Sequence, residues 1–114
     1  MEYSGEKIGN LLIIKSLNPL ATISSAVSFK NFILNNIDQG ELNIIFDLSN
    51  IEMIDSTFLG SMVVAHRKLV SLGSKLILSG LNESVRLLFG LTKLNEAFDI
   101  YPTLEEAIGS FPNQ

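Results

Sequence analysis

The sequence contains no cysteine among its 114 residues. Disulfides, thiol nucleophiles and cysteine-ligated zinc are therefore excluded, and the absence of cysteine fits a reducing compartment. Basic residues are also few: the eight lysines and arginines are scattered, and the formal net charge is −4. Because a nucleic-acid-binding surface needs clustered cations, we expect no nucleic-acid partner.

Long apolar segments are missing as well. No run reaches the roughly 18 apolar residues of a membrane-spanning helix, so we expect no membrane insertion. The opening residues MEYSGEKIGN lack the apolar segment of a signal peptide, which predicts a cytoplasmic, bacterial-type protein. Hydrophobic residues nevertheless make up 46% of the chain. That share suits a single domain over residues 1–114 that builds its core without metals.

The hydrophobic pattern alternates between predicted strands and predicted helices. Apolar residues on both faces of 42–48 indicate a central strand. Strands separated by helices predict an α/β fold with a largely parallel sheet, in which sites collect in the loops that follow the strands. The predicted strands are 11–17, 42–48, 75–79 and 97–101, and the predicted helices are one ending at Gly40, 56–72, one capped by Asn82 that runs to Leu94, and 103–111.

The start of the first helix is left open by the sequence. Asn18 followed by Pro19 is one start signal, and Thr22 and Ser24 are alternative caps. An apolar stripe near one helical face predicts which side chains point into the core. These residues are Ile23, Val27, Ile33, Leu34 and Ile37.

Residues 54–60, IDSTFLG, place three polar side chains where a strand leads into a helix. Either Asp55 or Ser56 can serve as an ordinary helix N-cap, worth about 1 kcal/mol. The alternative is that the Ser56 hydroxyl is phosphorylated. A phosphate would add a charge of about −1.5 to −2 at a helix N-terminus, where backbone N–H groups can hold it. The fold would remain while the surface charge changed.

Catalytic motifs are not found. A serine nucleophile needs a base within hydrogen-bonding reach, but the single histidine, His66, lies ten residues along the same predicted helix as Ser56, at about 15 Å. The paired acids Glu105 and Glu106 are consecutive and predicted to be solvated at a helix start. We therefore expect no enzyme activity, no cofactor and no metal site.

An ordered set of motifs resembles the anti-sigma factor antagonist (STAS) domain family. The set comprises a strand ending in DLS, then IDST.LG opening a helix, then G.KL.L.G and V..LF.LTKL, and the resemblance extends from about Leu11 to Ile108. It implies an α/β fold: a single small STAS-type domain with a mixed, mostly parallel sheet and helices packed on one side.

The resemblance also implies a partner-switch cycle. Family members of this kind carry a phosphorylatable residue after the Asp, which is Ser56 here, with Thr57 as second choice. When unmodified they bind an anti-sigma factor, usually a serine kinase with a histidine-kinase-like ATP fold, and so free a sigma factor. The kinase breaks the complex by phosphorylation, and a serine phosphatase resets it. We expect a monomer or weak homo-oligomer.

Two positions depart from the family pattern. Phe58 stands where the family often has Gly, which would let another chain approach closely. Asn18 stands where an acidic residue is frequent, which leaves the site less acidic. We expect Phe58 to lean on the core along a stripe with Met62, Ala65, Leu69 and Leu72, to half-cover the preceding loop and to shape the rim of the docking surface. The expected partner-binding residues are Asn18, Asp55, Ser56, Thr57, Phe58 and Leu59.

Two other roles of STAS domains compete with the partner switch. One is a scaffold subunit of a larger signalling assembly, in which Ser56 modulates assembly. The other is an accessory subunit of a membrane transport complex. The sequence alone leaves all three open.

Overall fold

The structure is a computed structural model and describes residues 2–111. It contains seven strands, four α-helices and a short 3₁₀-helix within that range. The strands are β1 (Tyr3–Ile8), β2 (Leu11–Ser16), β3 (Leu20–Ala21), β4 (Asn43–Asp47), β5 (Met53–Ile54), β6 (Lys75–Ser79) and β7 (Asp99–Tyr101). The helices are α1 (Ile23–Asp38), α2 (Ser56–Ser71), α3 (Glu83–Leu91) and α4 (Leu104–Gly109), and the 3₁₀-helix spans Leu94–Glu96.

The main sheet has five strands in the order β1-β2-β4-β6-β7. Within this sheet, neighbouring strands are parallel from β2 through β4 and β6 to β7, and β1 is antiparallel to β2. The predicted mixed, mostly parallel sheet is therefore confirmed, as is the central position of β4. A separate two-stranded parallel sheet pairs β3 with β5.

The two faces of the main sheet carry separate apolar clusters. Helices α1, α2 and α3 pack on the face that includes Ile44 and Phe46, and the larger cluster lies there. Helix α4 packs on the opposite face through Ala107, against Ile45 and its neighbours in β2 and β6. The expectation that the helices lie on one side is thus wrong for α4. The cause is that β4 and its two neighbours are apolar on both faces, so both faces need a cover.

Helix α1 begins after Thr22, which is its N-cap, one of the three starts that the sequence left open. The predicted inward face is correct at Ile33 and Ile37 but wrong at Ile23 and Val27, which are 68% and 62% exposed. The side chains that α1 buries are instead Ser25, Ala26, Phe29, Ile33 and Ile37. Ser25 and Ala26 let α1 pack closely on α2 near its start, where the Ser61 hydroxyl donates to the Ala26 carbonyl at 3.1 Å.

Two further boundaries differ from those predicted. Strand β1 was not predicted, because it is an edge strand that buries only Tyr3. Helix α3 ends at Leu91 rather than Leu94, since Lys93 has a left-handed backbone with φ of 60°. A residue in that conformation cannot continue an α-helix.

Candidate functional site

The small β3–β5 sheet brings the start of α1 beside the start of α2. Ala21 and Ile54 are register partners at its end, and the Asp55 amide donates to the Ala21 carbonyl at 2.9 Å. Each helix begins two residues after its strand, so the two helix N-termini open onto the same surface. The site predicted around IDSTFLG lies at this junction.

Asp55 joins the two helices through its carboxylate. One oxygen, Oδ1, accepts the Phe58 amide of α2 at 2.9 Å. The other, Oδ2, accepts the Ile23 amide of α1 at 2.8 Å. Of the two N-cap candidates, Asp55 is the cap of α2. It also satisfies a backbone donor at the start of α1, so one charge stabilises the positive ends of two helix dipoles.

Ser56 and Thr57 are the first two residues of α2, and both are exposed. Since Asp55 does the capping, the Ser56 hydroxyl is not needed to start the helix. No acidic residue lies in the first turn of α2. A phosphate on Ser56 would lie at the end of the dipole that favours negative charge, beside the Asp55 carboxylate that already accepts the Phe58 amide.

Phe58 lies in the core and not on the rim. Its side chain is 0% exposed, and its ring centroid lies 4.8 Å from that of Phe29 and 6.3 Å from that of Phe46. Leu59 is also buried, at 3% exposure. The core part of the Phe58 prediction is thus confirmed, whereas its predicted share in the docking rim is wrong. Neither side chain offers a partner any surface, because the helical period turns both toward the sheet.

Asn18 lies in the loop between β2 and β3 and is half-buried. Its side-chain Oδ1 accepts the Leu20 amide at 2.9 Å, a local turn that leads the chain into β3. It therefore orders the strand that precedes α1. Among the hydrogen bonds of residues 2–111, none joins the Asn18 side chain to Asp55 or Ser56.

His66 lies further along α2 and is half-buried. Its Nδ1 accepts the Leu76 amide at 3.1 Å, and its ring lies 4.7 Å from that of Phe98. Burial lowers the pKa of His66 below its ordinary value of 6.5; nearby Asp99 opposes this shift and Lys75 adds to it. The imidazole is thus a neutral acceptor that fixes the start of β6, with its ring held away from Ser56.

A buried carboxylate that sequence reasoning missed lies at the end of the central strand. Asp47 is 4% exposed, and its two oxygens accept the hydroxyls of Ser79, at 3.0 Å, and Ser49, at 2.8 Å. Gly80 has φ of +74°, and a Cβ there would lie 2.8 Å from Asp47 Oδ1. The glycine that follows strand 75–79 was the available signal. Because both oxygens are bonded, the group holds the β4 and β6 loops together.

Comparison with known proteins identifies the family to which this chain belongs. Residues 4–107 match the STAS domain family, and the chain belongs to that family. Within it, the chain is related to anti-sigma factor antagonists. The protein of Thermotoga maritima named "Putative anti-sigma factor antagonist" is 32% identical over 103 residues, covering 90% of this chain and 91% of that protein.

Solved structures agree with the sequence match. A crystal structure under a similar name from Thermotoga maritima has a TM-score of 0.87 at 26% identity, covering 97% of this chain and 95% of that one. SpoIIAA in its unphosphorylated form has a TM-score of 0.80 at 22% identity and covers 97% of this chain and 99% of that one. At that identity the second likeness concerns the fold alone. In the described range, 2–111, no helix is long and apolar enough to cross a membrane.

Proposed function

We propose that this protein is an anti-sigma factor antagonist whose binding to a kinase-type anti-sigma factor is controlled by phosphorylation of Ser56. In the unmodified state it binds the anti-sigma factor in the bacterial cytoplasm and frees a sigma factor. The kinase then phosphorylates Ser56 and ends the complex, and a serine phosphatase restores it. The protein acts by binding and carries out no chemistry itself.

The observation that supports the proposal most is the position of Ser56. Its side chain is exposed, and α2 is capped by Asp55 and not by Ser56. Asp55 bonds to both helices, so α2 keeps its N-terminal cap whether or not Ser56 is modified. The hydroxyl is accessible to a kinase. Support also comes from SpoIIAA of Bacillus, which has been solved in a phosphorylated form with the same fold, at a TM-score of 0.73 and 22% identity.

The surface around Ser56 explains how a phosphate would act. Leu20, Ile23 and Met53 expose 47%, 68% and 51% of their surface, and they flank the β3–β5 junction. A partner that docks on this apolar surface would have to desolvate the phosphate, and that desolvation costs several kcal/mol. Asp55 next to it adds a second negative charge. Phosphorylation would therefore raise the dissociation rate without unfolding the protein.

The test is to incubate the protein with its genome's serine-kinase anti-sigma factors and ATP, and to map the modified peptide. We expect one phosphate, on Ser56, and none on a Ser56→Ala variant. The Thr57→Ala variant is the matched control, because Thr57 is the adjacent exposed hydroxyl, and it should be modified like the parent. Phosphate on Thr57 alone would contradict the assignment, and no modification by any of these kinases would contradict the cycle.

A further inference from the structure

Helix α3 has apolar side chains on two faces, and only one face is buried. Val85 and Phe89 point into the core. On the other side, Leu87 and Leu91 are 62% and 82% exposed. With Ser84 and Leu88 they follow the spacing i, i+3, i+4 and i+7, which defines one continuous stripe along a helix. Two exposed leucines one turn apart are not explained by the core.

This stripe forms one wall of an open groove of about 390 Å³. Met53 and Ile54 of β5 form the other wall, and none of the side chains that line the groove is charged. Met53 is half exposed there, at 51%. A concave apolar surface shared by a helix and a strand is the kind of place where a ligand or another chain binds. We call it the β5–α3 groove.

Two features favour a helix over a strand as the occupant. The Asn82 side-chain amide donates to the carbonyls of Ile51 and Glu52, at 3.1 and 3.2 Å, so these acceptors on the segment that leads into β5 are already bonded. An added strand needs a free backbone edge, which α3 and its cap cover here. A groove lined by side chains suits an amphipathic helix, whose apolar face supplies anchors at the same i, i+3, i+4 and i+7 spacing.

Charge at one end of the groove indicates the kind of helix. Glu52 and Glu83 are exposed, and they lie on either side of Asn82, which connects their two segments. An acidic rim beside an apolar groove complements a helix that carries lysine or arginine next to its apolar face. A second copy of this chain is a poor occupant, since each copy has a formal net charge of −4 and would bring the same acidic rim.

We propose that the β5–α3 groove binds a basic amphipathic helix of a partner protein, at a surface that adjoins the Ser56 surface and shares Met53 with it. The inference does not depend on phosphorylation of Ser56, because a negative charge there would not repel a basic helix. A partner bound at the groove is therefore a different protein from the anti-sigma factor, and it can stay attached when phosphorylation of Ser56 ends the anti-sigma factor complex.

The probe for the test is a fluorescent synthetic helical peptide with leucines at i, i+3, i+4 and i+7 and lysines beside them. A second peptide has glutamates in place of the lysines. We expect the lysine peptide to bind and to shift the amide resonances of Met53, Ser84, Leu87 and Leu91. The glutamate peptide should bind about tenfold more weakly, and the difference should shrink in a Glu52→Gln, Glu83→Gln variant.

The variant for the groove is the neutral pair Leu87→Ser and Leu91→Ser, which should weaken binding of the lysine peptide about tenfold or more. The control is Val70→Ser with Leu72→Ser, two residues at the far end of α2 that are 53% and 45% exposed, and it should leave binding unchanged. Both variants should melt like the parent. Equal loss in the two variants, equal affinity for the two peptides, or shifts confined to other residues would overturn the proposal.

Two further readouts separate this inference from the proposed function. A Ser56→Glu variant should bind the lysine peptide at least as well as the parent, even where it has lost the anti-sigma factor. If Ser56 proves not to be phosphorylated, the peptide result is unaffected. Sedimentation should show that the protein does not dimerise through the groove; a dimer that the Leu87→Ser, Leu91→Ser variant abolishes would mean that the occupant is a second copy, and the proposal would fail.

Discussion

Phe58 is the residue that attaches the start of α2 to the core. Its ring is enclosed by Phe29 of α1 and Phe46 of β4, so it lies where two helices and the central strand meet. It lies only two positions after Ser56. The position of the exposed hydroxyl is therefore set by a side chain that no partner can touch.

Truncation of Phe58 to alanine should lower the free energy of unfolding by about 3–5 kcal/mol, because removal of the ring leaves a large cavity that the surrounding core fills only in part. Urea unfolding measures it. A Val64→Ala variant, on the exposed side of the same helix, is the control and should change stability by less than about 0.5 kcal/mol. Unchanged stability of Phe58→Ala would refute the buried position of the ring.

His66 makes the stability of the protein depend on pH. Burial holds the folded-state pKa below the ordinary value of 6.5, so the unfolded chain binds the proton more readily. The contribution of His66 to the free energy of unfolding should therefore be complete above about pH 6.5. It should decline as the pH falls below that value, toward the lower folded-state pKa. Asp99, Lys75 and the Ala97 carbonyl are the groups that face the ring. Protonation would also break the bond from the Leu76 amide to Nδ1.

Urea unfolding of the parent and of His66→Gln between pH 7.5 and 5.5 is the measurement. We expect the glutamine variant to lack the part of the decline that belongs to the imidazole, although it is less stable than the parent at pH 7.5. Because this is the chain's single histidine, the comparison isolates one group. The same decline in both proteins would show that His66 is not its source.

At the scale of the elements, the main feature is that α1 and α2 share one capping carboxylate. The residues that it joins, Ile23 and Asp55, are 32 positions apart. No local pattern could have predicted that contact, since it depends on the short β3–β5 sheet, whose strands have two residues each. The cap of α2 itself, by contrast, was predictable from a polar residue before an apolar periodic run.

Replacement of Asp55 tests the shared cap. The Asp55→Ala variant loses the acceptors of two helix N-termini and should lose about 1–3 kcal/mol of stability. Asp55→Asn keeps one carbonyl oxygen and should retain one of the two bonds, giving an intermediate loss. Hydrogen exchange at the Ile23 and Phe58 amides reports each bond separately, and Thr57→Ala is the control. Protection of the Ile23 amide in the alanine variant equal to that in the parent would disprove the contact.

At the scale of the whole molecule, the alternation of strands and helices was enough to predict a largely parallel sheet with 42–48 at its centre, whereas its mixed character was implied by the family resemblance. Apolar patterning carried that information because the inner strands are buried on both faces. The placement of α4 on the second face was missed, although the same two-faced patterning implied that both faces need a cover. Strand β1 gave little signal, because an edge strand that buries one side chain has almost no pattern to read.

For the candidate site as well, part of the arrangement could be predicted from the sequence and part could not. Exposure of Ser56 and burial of Phe58 follow from the helical period, and Phe58 was expected to lean on the core for that reason. The error at Ile23 and Val27 has another origin. Both are apolar, but they lie at the edge of the arc that buries Ala26, Phe29, Ile33 and Ile37, and α2 meets α1 at Ala26. Pairwise packing of this kind cannot be read from one helix alone.

The whole fold should tolerate a permanent charge at Ser56. A Ser56→Glu variant places a carboxylate at a helix N-terminus, which is neutral or favourable by about 0.3–1 kcal/mol. We expect its melting temperature to match that of the parent and its amide shifts to be confined to the starts of α1 and α2, whereas its affinity for the anti-sigma factor falls. Ser71→Glu, at the opposite end of α2, is the control for binding. A destabilised variant with unchanged binding would contradict the switch.

Helix α3 alternates residues that maintain the fold with residues that face outward. Val85 and Phe89 cannot change without cost to the core, whereas Leu87 and Leu91 can. Mutations at these two sets of positions are therefore nearly independent in their effect on stability. After a gene duplication, one copy can acquire a different partner by drift at the outward positions alone, with its sheet and its exposed Ser56 intact. In such a protein, the stability of the fold does not limit how binding specificity evolves. The supply of available partners limits it.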